Sequence, residues 1–291
     1  MLEGMGTNFG AIRQAIKENK KSTRKESSKN EDFYIYDSSI QNFGSSFSKT
    51  LPKEYTEHLN SKIVTSVDQY GEVFKEYIED TLSKSKNHER TAIEFGGPGS
   101  KLFQGFKKDF FKKTAGVCLK DVRDEDAMAV DKENNHSVVS GDFINGPTRE
   151  LYAALDQKLG GKKVDLITSR IVGPLDSLVK NPAILEHIVR KWYSMLNDNG
   201  LLFAQFEFFE ETKPYMESKF VGESLSVDLK DVELVVMDWA MSVMEKFPKE
   251  IDIQLGRGVI RIHKKQGAPE ELPTAKELAE DSKHRSNRII F

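Results

Sequence analysis

The chain has 291 residues, of which 38% are hydrophobic and 31% are charged, a composition typical of a water-soluble globular protein. Its length suits one large α/β domain with extensions, and its single cysteine, Cys118, excludes a disulfide framework within a monomer. The net charge of −3 provides no global field that would recruit nucleic acid. No apolar run approaches the ~20 residues that a membrane span needs, and the scattered histidines lack the spacing of metal ligands.

The residues before the first predicted strand divide into two segments. Residues 1–50 are polar, with paired basic residues near the start, and are predicted to form a partly disordered arm. An arm that contacts phosphates or anionic lipids is the alternative interpretation. In residues 51–88, apolar side chains recur three and four positions apart, which predicts two amphipathic helices that form a cap or lid. These apolar positions are Tyr55, Leu59, Ile63, Val67, Val73, Phe74, Ile78 and Leu82.

Residues 89–264 alternate between predicted strands and helices, which indicates a mainly parallel sheet with helices on both faces. The strands are predicted at Thr91–Phe95, Ala115–Lys120, Ser137–Ser140, Val164–Ser169, Leu201–Phe208, Ile251–Leu255 and Val259–His263. The helices are predicted at Ser100–Lys112, Arg149–Leu159, Pro182 to Gly200, and Leu229–Phe247. A short glycine turn joins the last two strands, so the last strand should be antiparallel. The predicted fold is therefore a doubly wound, mainly parallel seven-stranded α/β sheet with an antiparallel last strand and an N-terminal helical extension.

Residues 265–291 are predicted to be a polar tail with an apolar end, which either docks on the domain or is disordered. Glutamates precede that apolar end, at Glu270, Glu271, Glu277 and Glu280. This pattern is similar to the acidic translocation tails of some intracellular bacterial effectors, and an ordinary solvated tail is the alternative. The N-terminus lacks the apolar stretch of a secretory signal, which favours a cytoplasmic location.

The strongest chemical signal is the run Ile93-Glu94-Phe95-Gly96-Gly97-Pro98-Gly99-Ser100, where a predicted strand ends and a helix begins. Glycine allows tight turns and close approach of a ligand, and open α/β sheets bind ligands beyond the carboxyl ends of their strands. Glu94 is costly to bury unless a cationic ligand, or an ion pair within the protein, compensates its charge. A dinucleotide fingerprint requires a third glycine, but Leu102 occupies that position.

The segment from Glu94 to Gly99 resembles the first motif, E/D-x-G-x-G-x-G, of the class I (Rossmann-like) S-adenosylmethionine (SAM)-dependent methyltransferases. The resemblance extends over residues 70 to 264. It implies that SAM is the cofactor, that Glu94 helps to anchor its amino end, and that Gly96 belongs to its site. It further implies that Gly97 and Gly99 lie against the methionine part of SAM.

Two later segments extend the resemblance. The run Val138–Phe143 is similar to the end of the family's third strand, which implies that Asp142 accepts a hydrogen bond from the adenine amino group and that Phe143 flanks the ring. A turn Asp and a core aromatic residue are the structural alternatives. The segment 165–172 resembles the fourth-strand motif, which implies that Ser169 lies near the transferred methyl group.

The chain departs from the family at the end of the second strand. The family usually has an acid there that holds the ribose hydroxyls, whereas this chain has Cys118. Asp121, three residues later, is the candidate substitute. The departure also leaves open that the chain is an inactive relative.

The resemblance implies direct methyl transfer, which requires alignment of the reactants and no metal or covalent intermediate. The Asn/Asp-Pro-Pro-Tyr/Phe element of amino-directed nucleic-acid methyltransferases is absent, and a single cysteine argues against a two-cysteine C5-pyrimidine mechanism. A small-molecule acceptor is therefore favoured, a protein substrate is next, and nucleic acid is not expected. The alternatives are a catalytically inactive SAM-fold interaction module and an NAD-dependent enzyme. No residue is assigned as a catalytic base.

Overall fold

The computed structural model describes residues 39–61, 67–85, 89–121, 123–143, 148–170, 182–205, 229–256 and 258–280. The strands are β1 (Thr91–Phe95), β2 (Lys113–Cys118), β3 (His136–Ser140), β4 (Val164–Ser169), β5 (Leu196–Gln205), β6 (Ile251–Gly256) and β7 (Val259–Lys264). The helices are α1 (Ile40–Phe47), α2 (Lys53–Ser61), α3 (Val67–Ser83), α4 (Ser100–Gln104), α5 (Glu125–Glu133), α6 (Thr148–Leu159), α7 (Pro182–Ser194) and α8 (Leu229–Lys246). A 3-10 turn, Ser48–Thr50, follows α1.

The seven strands form one sheet in the order β3-β2-β1-β4-β5-β7-β6. Strands β1 to β5 pair in parallel, and β7 pairs antiparallel with both β5 and β6. These findings confirm the predicted fold class and the predicted hairpin. The chain adds β2 and β3 on one side of β1 and then places β4 on the other, so the order reverses between β1 and β4. In open α/β sheets, ligands bind in the crevice at such a switch point.

The sheet separates two apolar cores. On the face that we call the N-terminal face, α1 and α3 pack on the sheet through Phe43, Phe47, Phe74 and Phe203. Phe203 of β5 makes edge contacts with Phe47 and Phe74, with ring centroids 5.4 and 5.0 Å apart. The opposite face carries α6, α7 and α8, and its core includes Ile93, Phe95, Ile167, Leu185, Trp192, Leu202, Val236 and Val243. Both faces of the central strands are therefore covered, as their near-continuous apolar sequence requires.

The folded N-terminal extension begins earlier than predicted. Residues 39–50, assigned to a polar arm by their sequence, form α1 and the 3-10 turn, and the side chains of Phe43 and Phe47 are fully buried. Two aromatic residues four positions apart place both rings on one helical face. The serines between and around them give the segment its polar composition. The helices predicted within 51–88 are present as α2 and α3. Residues 1–38 lie outside the described residues.

The backbones of α1 and α3 touch at a pair of glycines. A Cβ atom added to Gly44 would overlap the carbonyl oxygen of Tyr70 and lie 2.6 Å from the amide nitrogen of Gly71. We expect Gly44→Ala to lower the free energy of unfolding by about 2 kcal/mol, because overpacking outweighs the gain of about 1 kcal/mol in helix propensity. Urea unfolding measures this change. Ser45→Ala, at an exposed position of the same helix, is the control, and an equal midpoint for the two variants would contradict the prediction.

Two of the predicted helices end earlier in the structure. The helix predicted over Ser100–Lys112 stops at Gln104, and the following segment includes Asp109 with a left-handed φ of 60°. Phe106, Phe110 and Phe111 follow this helix at spacings that also occur in helices. Here their rings pack on one another in an irregular loop. The spacing of these phenylalanines therefore reflects their packing in the core and does not indicate a helix.

The helix predicted to end at Gly200 stops at Ser194, and β5 begins at Leu196. The polar residues between Leu196 and Gly200 look like a helix-ending turn, but they form an irregularity inside β5. Asn199 has a left-handed φ of 64°, and the register between β4 and β5 shifts in this region. A β-bulge accommodates the turn-forming residues while the strand continues.

The beginning of the tail docks on the domain. Leu272 and Leu278 are buried in the core of the opposite face. The indole nitrogen of Trp239 donates to the carbonyl oxygen of Pro273 at 3.0 Å, and Arg190 donates to that of Leu272 at 2.6 Å. Residues 281–291, which include the apolar end, lie outside the described residues, so the proposed similarity to translocation tails stays a prediction. Within the described ranges, no helix has the length and apolar character needed to cross a membrane.

Candidate functional site

The glycine loop after β1 folds back against β2. The amide of Gly96 donates to the carbonyl oxygen of Val117 at 2.8 Å, and Gly97 forms a bridge with the same residue. Gly96 and Gly99 have φ angles of 97° and 76°, a left-handed conformation that glycine adopts without steric cost. The backbone path of this loop therefore depends on its glycines.

A glycine in β2 leaves the space in which this loop lies. A Cβ atom on Gly116 would overlap the carbonyl group of Pro98 and lie 2.7 Å from its Cα atom. The loop thus rests directly on the backbone of β2, on the N-terminal face. The sequence alone does not reveal this role of Gly116, because the role depends on where the loop folds.

Glu94 lies inside β1, in the strand position next to Gly116 of β2. It is fully buried, pairs in register with Gly116 on one side and Thr168 of β4 on the other, and its two carboxylate oxygens are shielded from solvent. Alternation along the strand places its side chain on the N-terminal face, since Ile93 and Phe95 pack in the opposite core. A buried carboxylate therefore lies at the switch point of the sheet.

A second buried carboxylate, Asp131 of α5, fastens the end of the glycine loop. Its oxygens accept hydrogen bonds from the hydroxyl of Ser100 at 2.5 Å, from Arg123 at 2.6 Å and from the amide of Gln104 at 3.5 Å. The network joins α4, α5 and the segment between β2 and α5. Sequence analysis missed it because α5 was not predicted.

Asp121, the candidate ribose ligand, is held by Arg123. The guanidinium donates to both carboxylate oxygens, at 2.9 and 2.7 Å, and these hydrogen bonds lower the pKa of Asp121. The amide of Asp121 donates to the hydroxyl of Ser140 at 3.1 Å. The backbone amide of Arg123 also donates to Oδ1, at 3.2 Å. The carboxylate is thereby ionised and oriented, and Oδ2 keeps a lone pair for a further hydrogen bond.

Cys118, at the end of β2, is a partly buried thiol. Burial and then the charge of Asp121 raise its pKa to about 11. The thiolate is the reactive form, so we expect Cys118 at pH 8 to react with iodoacetamide about tenfold more slowly than an ordinary cysteine, since its smaller thiolate fraction outweighs its greater nucleophilicity. Mass spectrometry of the alkylation rate against pH tests this, and the same chain unfolded in urea is the control, because it has one cysteine. A rate that levels off near pH 9 in the folded protein would contradict the shifted pKa.

The ends of β3 and β4 contribute the remaining candidates. Asp142 is half-buried directly after β3. The ring of Phe143 is buried against Phe95 and Trp192, with centroids 5.4 and 5.7 Å away, so the structure gives this ring a core contact. Ser169 is buried at the end of β4, beside Phe95 in register.

The N-terminal extension reaches the same edge of the sheet. The guanidinium of Arg170, which directly follows β4, lies 5.5 Å from the ring centroid of Phe43 in α1. The extension therefore packs next to the crevice between β1 and β4.

The candidate residues Glu94, Gly96, Gly97, Gly99, Asp121, Asp142, Phe143 and Ser169 all lie at or just beyond the carboxyl ends of β1 to β4. Parallel strands bring these ends to one edge of the sheet. Among the described residues, no group of three or more His, Cys, Asp or Glu side chains is placed to hold a metal ion.

The strand order, the antiparallel β7 and the acidic glycine loop after β1 define a Rossmann-like methyltransferase fold. The chain matches no protein-family profile and no curated protein. A similar solved structure is the MycE methyltransferase from the mycinamycin biosynthetic pathway, in complex with Mg and SAH, with 14% identity, a TM-score of 0.42, and coverage of 69% of this chain and 52% of that chain. This chain therefore spans about half of the MycE length.

Two further solved structures are similar. One is a putative rRNA-methylase from Clostridium thermocellum, with 10% identity, a TM-score of 0.38, and coverage of 65% of this chain and 93% of that chain. The other is DesVI of Streptomyces venezuelae, with 17% identity, a TM-score of 0.30, and 61% coverage of each chain. Because these TM-scores are low, the three structures carry no argument about the activity of this chain.

Proposed function

We propose that this protein binds SAM at the carboxyl edge of its sheet and transfers the methyl group to a small-molecule acceptor. The observation that carries the proposal is the acidic glycine loop at the switch point between β1 and β4. It combines a fully buried carboxylate, Glu94, with a backbone that bends through left-handed glycines. A ligand with an ammonium group and a close-fitting chain would satisfy both features.

The residues present fit the parts of SAM. Glu94 would compensate the charge of the amino end, and the glycine loop would admit the methionine part close to its backbone. Asp121, oriented by Arg123, would accept hydrogen bonds from the ribose hydroxyls despite the cysteine at the usual acidic position. Asp142, after β3, would accept from the adenine amino group. The core contacts of Phe143 make Asp142 the better candidate of these two for testing the adenine end.

The sulfonium of SAM supplies an already activated methyl group, so the protein has mainly to bind, orient and exclude water. The contact between Arg170 and Phe43 supports a role for the N-terminal extension in enclosing the crevice. An enclosed crevice suits a small acceptor, and a protein side chain is the second candidate. Ser169, at the end of β4, and Arg170, directly after it, are the candidates for the acceptor side of the site.

A catalytically inactive SAM-fold protein is the second candidate function. Cys118 in the usual acidic position and the engagement of Asp121 by Arg123 favour it. It would bind S-adenosylhomocysteine (SAH) without turning over SAM, or bind neither.

Isothermal titration with SAH tests the proposal. We expect micromolar binding by the wild type and roughly tenfold weaker binding by Asp142→Ala, since one hydrogen bond to a charged acceptor is lost. Asp156→Ala, at an exposed position of α6, is the matched control and should bind like the wild type. A positive result justifies an acceptor screen with radiolabelled SAM. Selective thermal stabilisation by NAD, with none by SAH, would overturn the proposal.

A further inference from the structure

A buried histidine links the glycine loop to β2 and β3. His136 is the first residue of β3, and its Nε2 atom lies 2.6 Å from the carbonyl oxygen of Pro98 in the loop. Its Nδ1 atom lies 2.7 Å from the hydroxyl oxygen of Thr114 in β2. The imidazole therefore joins two strands and the loop through side-chain hydrogen bonds.

The partners of His136 determine which nitrogen carries the proton. A carbonyl oxygen only accepts hydrogen bonds, so Nε2 must donate to Pro98. In a neutral imidazole Nδ1 is then the acceptor, and the hydroxyl of Thr114 donates to it. Burial, and to a smaller extent the charge of Arg123, lowers the pKa of His136 and outweighs the opposite effect of the Asp131 charge, so this neutral form is favoured.

The imidazole also fills the space beneath the loop. A Cβ atom on Gly99 would lie 3.1 Å from Cε1 of His136 and 2.9 Å from the ring of Phe103. The rings of His136 and Phe103 are neighbours, with centroids 5.9 Å apart. The left-handed Gly99 is thus supported from below by two rings, while Pro98 is held by a hydrogen bond.

We infer that His136 is a positioning residue for the cofactor: it fixes the carbonyl of Pro98 and the backbone at Gly99, and so sets the surface on which the methionine part of SAM would lie. This role rests on the proposed function. The loop lies on a glycine of β2, and its residues Gly96 to Gly99 have no polar side chain that could hold the loop in place. His136 supplies a rigid support that the loop sequence lacks, and Thr114 orients that support.

SAH titration of variants at position 136 tests the role. His136→Phe keeps an aromatic ring at this position but removes both hydrogen bonds. We expect it to weaken SAH binding roughly tenfold to a hundredfold. His136→Gln retains an amide donor of similar reach and should recover part of the affinity. His263→Phe is the matched control, because it makes the same substitution at a half-buried histidine of β7, three strands from β1, and should bind like the wild type.

A purely structural histidine would lower the melting temperature of the free protein and leave the affinity of the folded fraction unchanged. Wild-type affinity in folded His136→Phe would therefore overturn the inference. If that variant does not fold, Thr114→Val decides, with severalfold weaker binding expected and unchanged affinity overturning the role. Absence of SAH binding by the folded wild type would overturn the proposed function as well, so the two failures are distinguishable.

Discussion

Gly116→Ala is expected to weaken SAH binding by roughly a hundredfold while the sheet stays folded. The added methyl group would overlap the carbonyl group of Pro98, and backbone atoms cannot turn away as a side chain does. The loop would have to lift from β2, which strains the hydrogen bond between Gly96 and Val117 and displaces Gly99. Alanine fits the backbone conformation at position 116, so the effect is a displacement of the loop.

Titration with SAH and circular dichroism together measure this effect. Gly141→Ala is the matched control, because the nearest atom to its new methyl group would be Cδ1 of Leu151, 2.9 Å away at the flexible end of a side chain. We expect the control to stay within about threefold of the wild-type affinity, since a rotamer shift relieves the contact. Near-wild-type binding by folded Gly116→Ala would contradict the prediction that the position of the loop on β2 determines SAH affinity.

The parts of this fold that could be predicted are those where local sequence and burial agree. Every residue of the run Val164–Ser169 is buried, and β4 was predicted there with its observed bounds. In α7, Leu185, Ile188 and Trp192, spaced three and four positions apart, are buried. The hairpin of β6 and β7 followed from its glycine turn. In each case a few neighbouring residues contain the whole signal.

The missed helix α5 shows why other parts could not be predicted. A surface helix usually turns apolar residues inward, but α5 exposes Met128 and Val130 and buries Asp131. The burial of Asp131 is possible because Ser100 and Arg123 donate to it. Those partners come from other segments, so the sequence around α5 has no apolar periodicity that would indicate a helix.

The candidate site was predictable to a similar extent. The acidic glycine motif is sufficient to nominate Glu94 and Gly99 as candidates, because such residue types are unusual at the end of a buried strand. The supports of the loop, His136 and Gly116, were not identified. Each of these residues acts on a segment distant in sequence, so only the folded geometry reveals their roles.

Arg261→Met is expected to lower the free energy of unfolding by about 3 kcal/mol. Arg261 of β7 is 1% exposed and faces the N-terminal extension. Its guanidinium donates to the carbonyl oxygen of Thr50 at 2.7 Å, to the hydroxyl of Tyr77 at 2.6 Å and to Asp252 at 2.9 Å. Methionine fills similar volume but leaves these acceptors without their donor, so the cost is electrostatic and the N-terminal extension loses its attachment to the sheet.

Urea unfolding measures the loss, and Arg149→Met, at an exposed position of α6, is the matched control, with a change below about 0.5 kcal/mol. The pH dependence of this loss separates the contribution of the ion pair between Arg261 and Asp252 from that of the other contacts of Arg261. Burial alone would raise the pKa of Asp252, but the charge and hydrogen bond of Arg261, together with a hydrogen bond from Gln254, outweigh it and hold that pKa below its usual value of 3.8. The pair therefore stabilises the wild type above that pH, and its contribution is lost as the pH falls further. The difference between wild type and Arg261→Met should shrink below about pH 4, whereas a difference that stays constant down to pH 2 would mean that the ion pair with Asp252 contributes nothing to it.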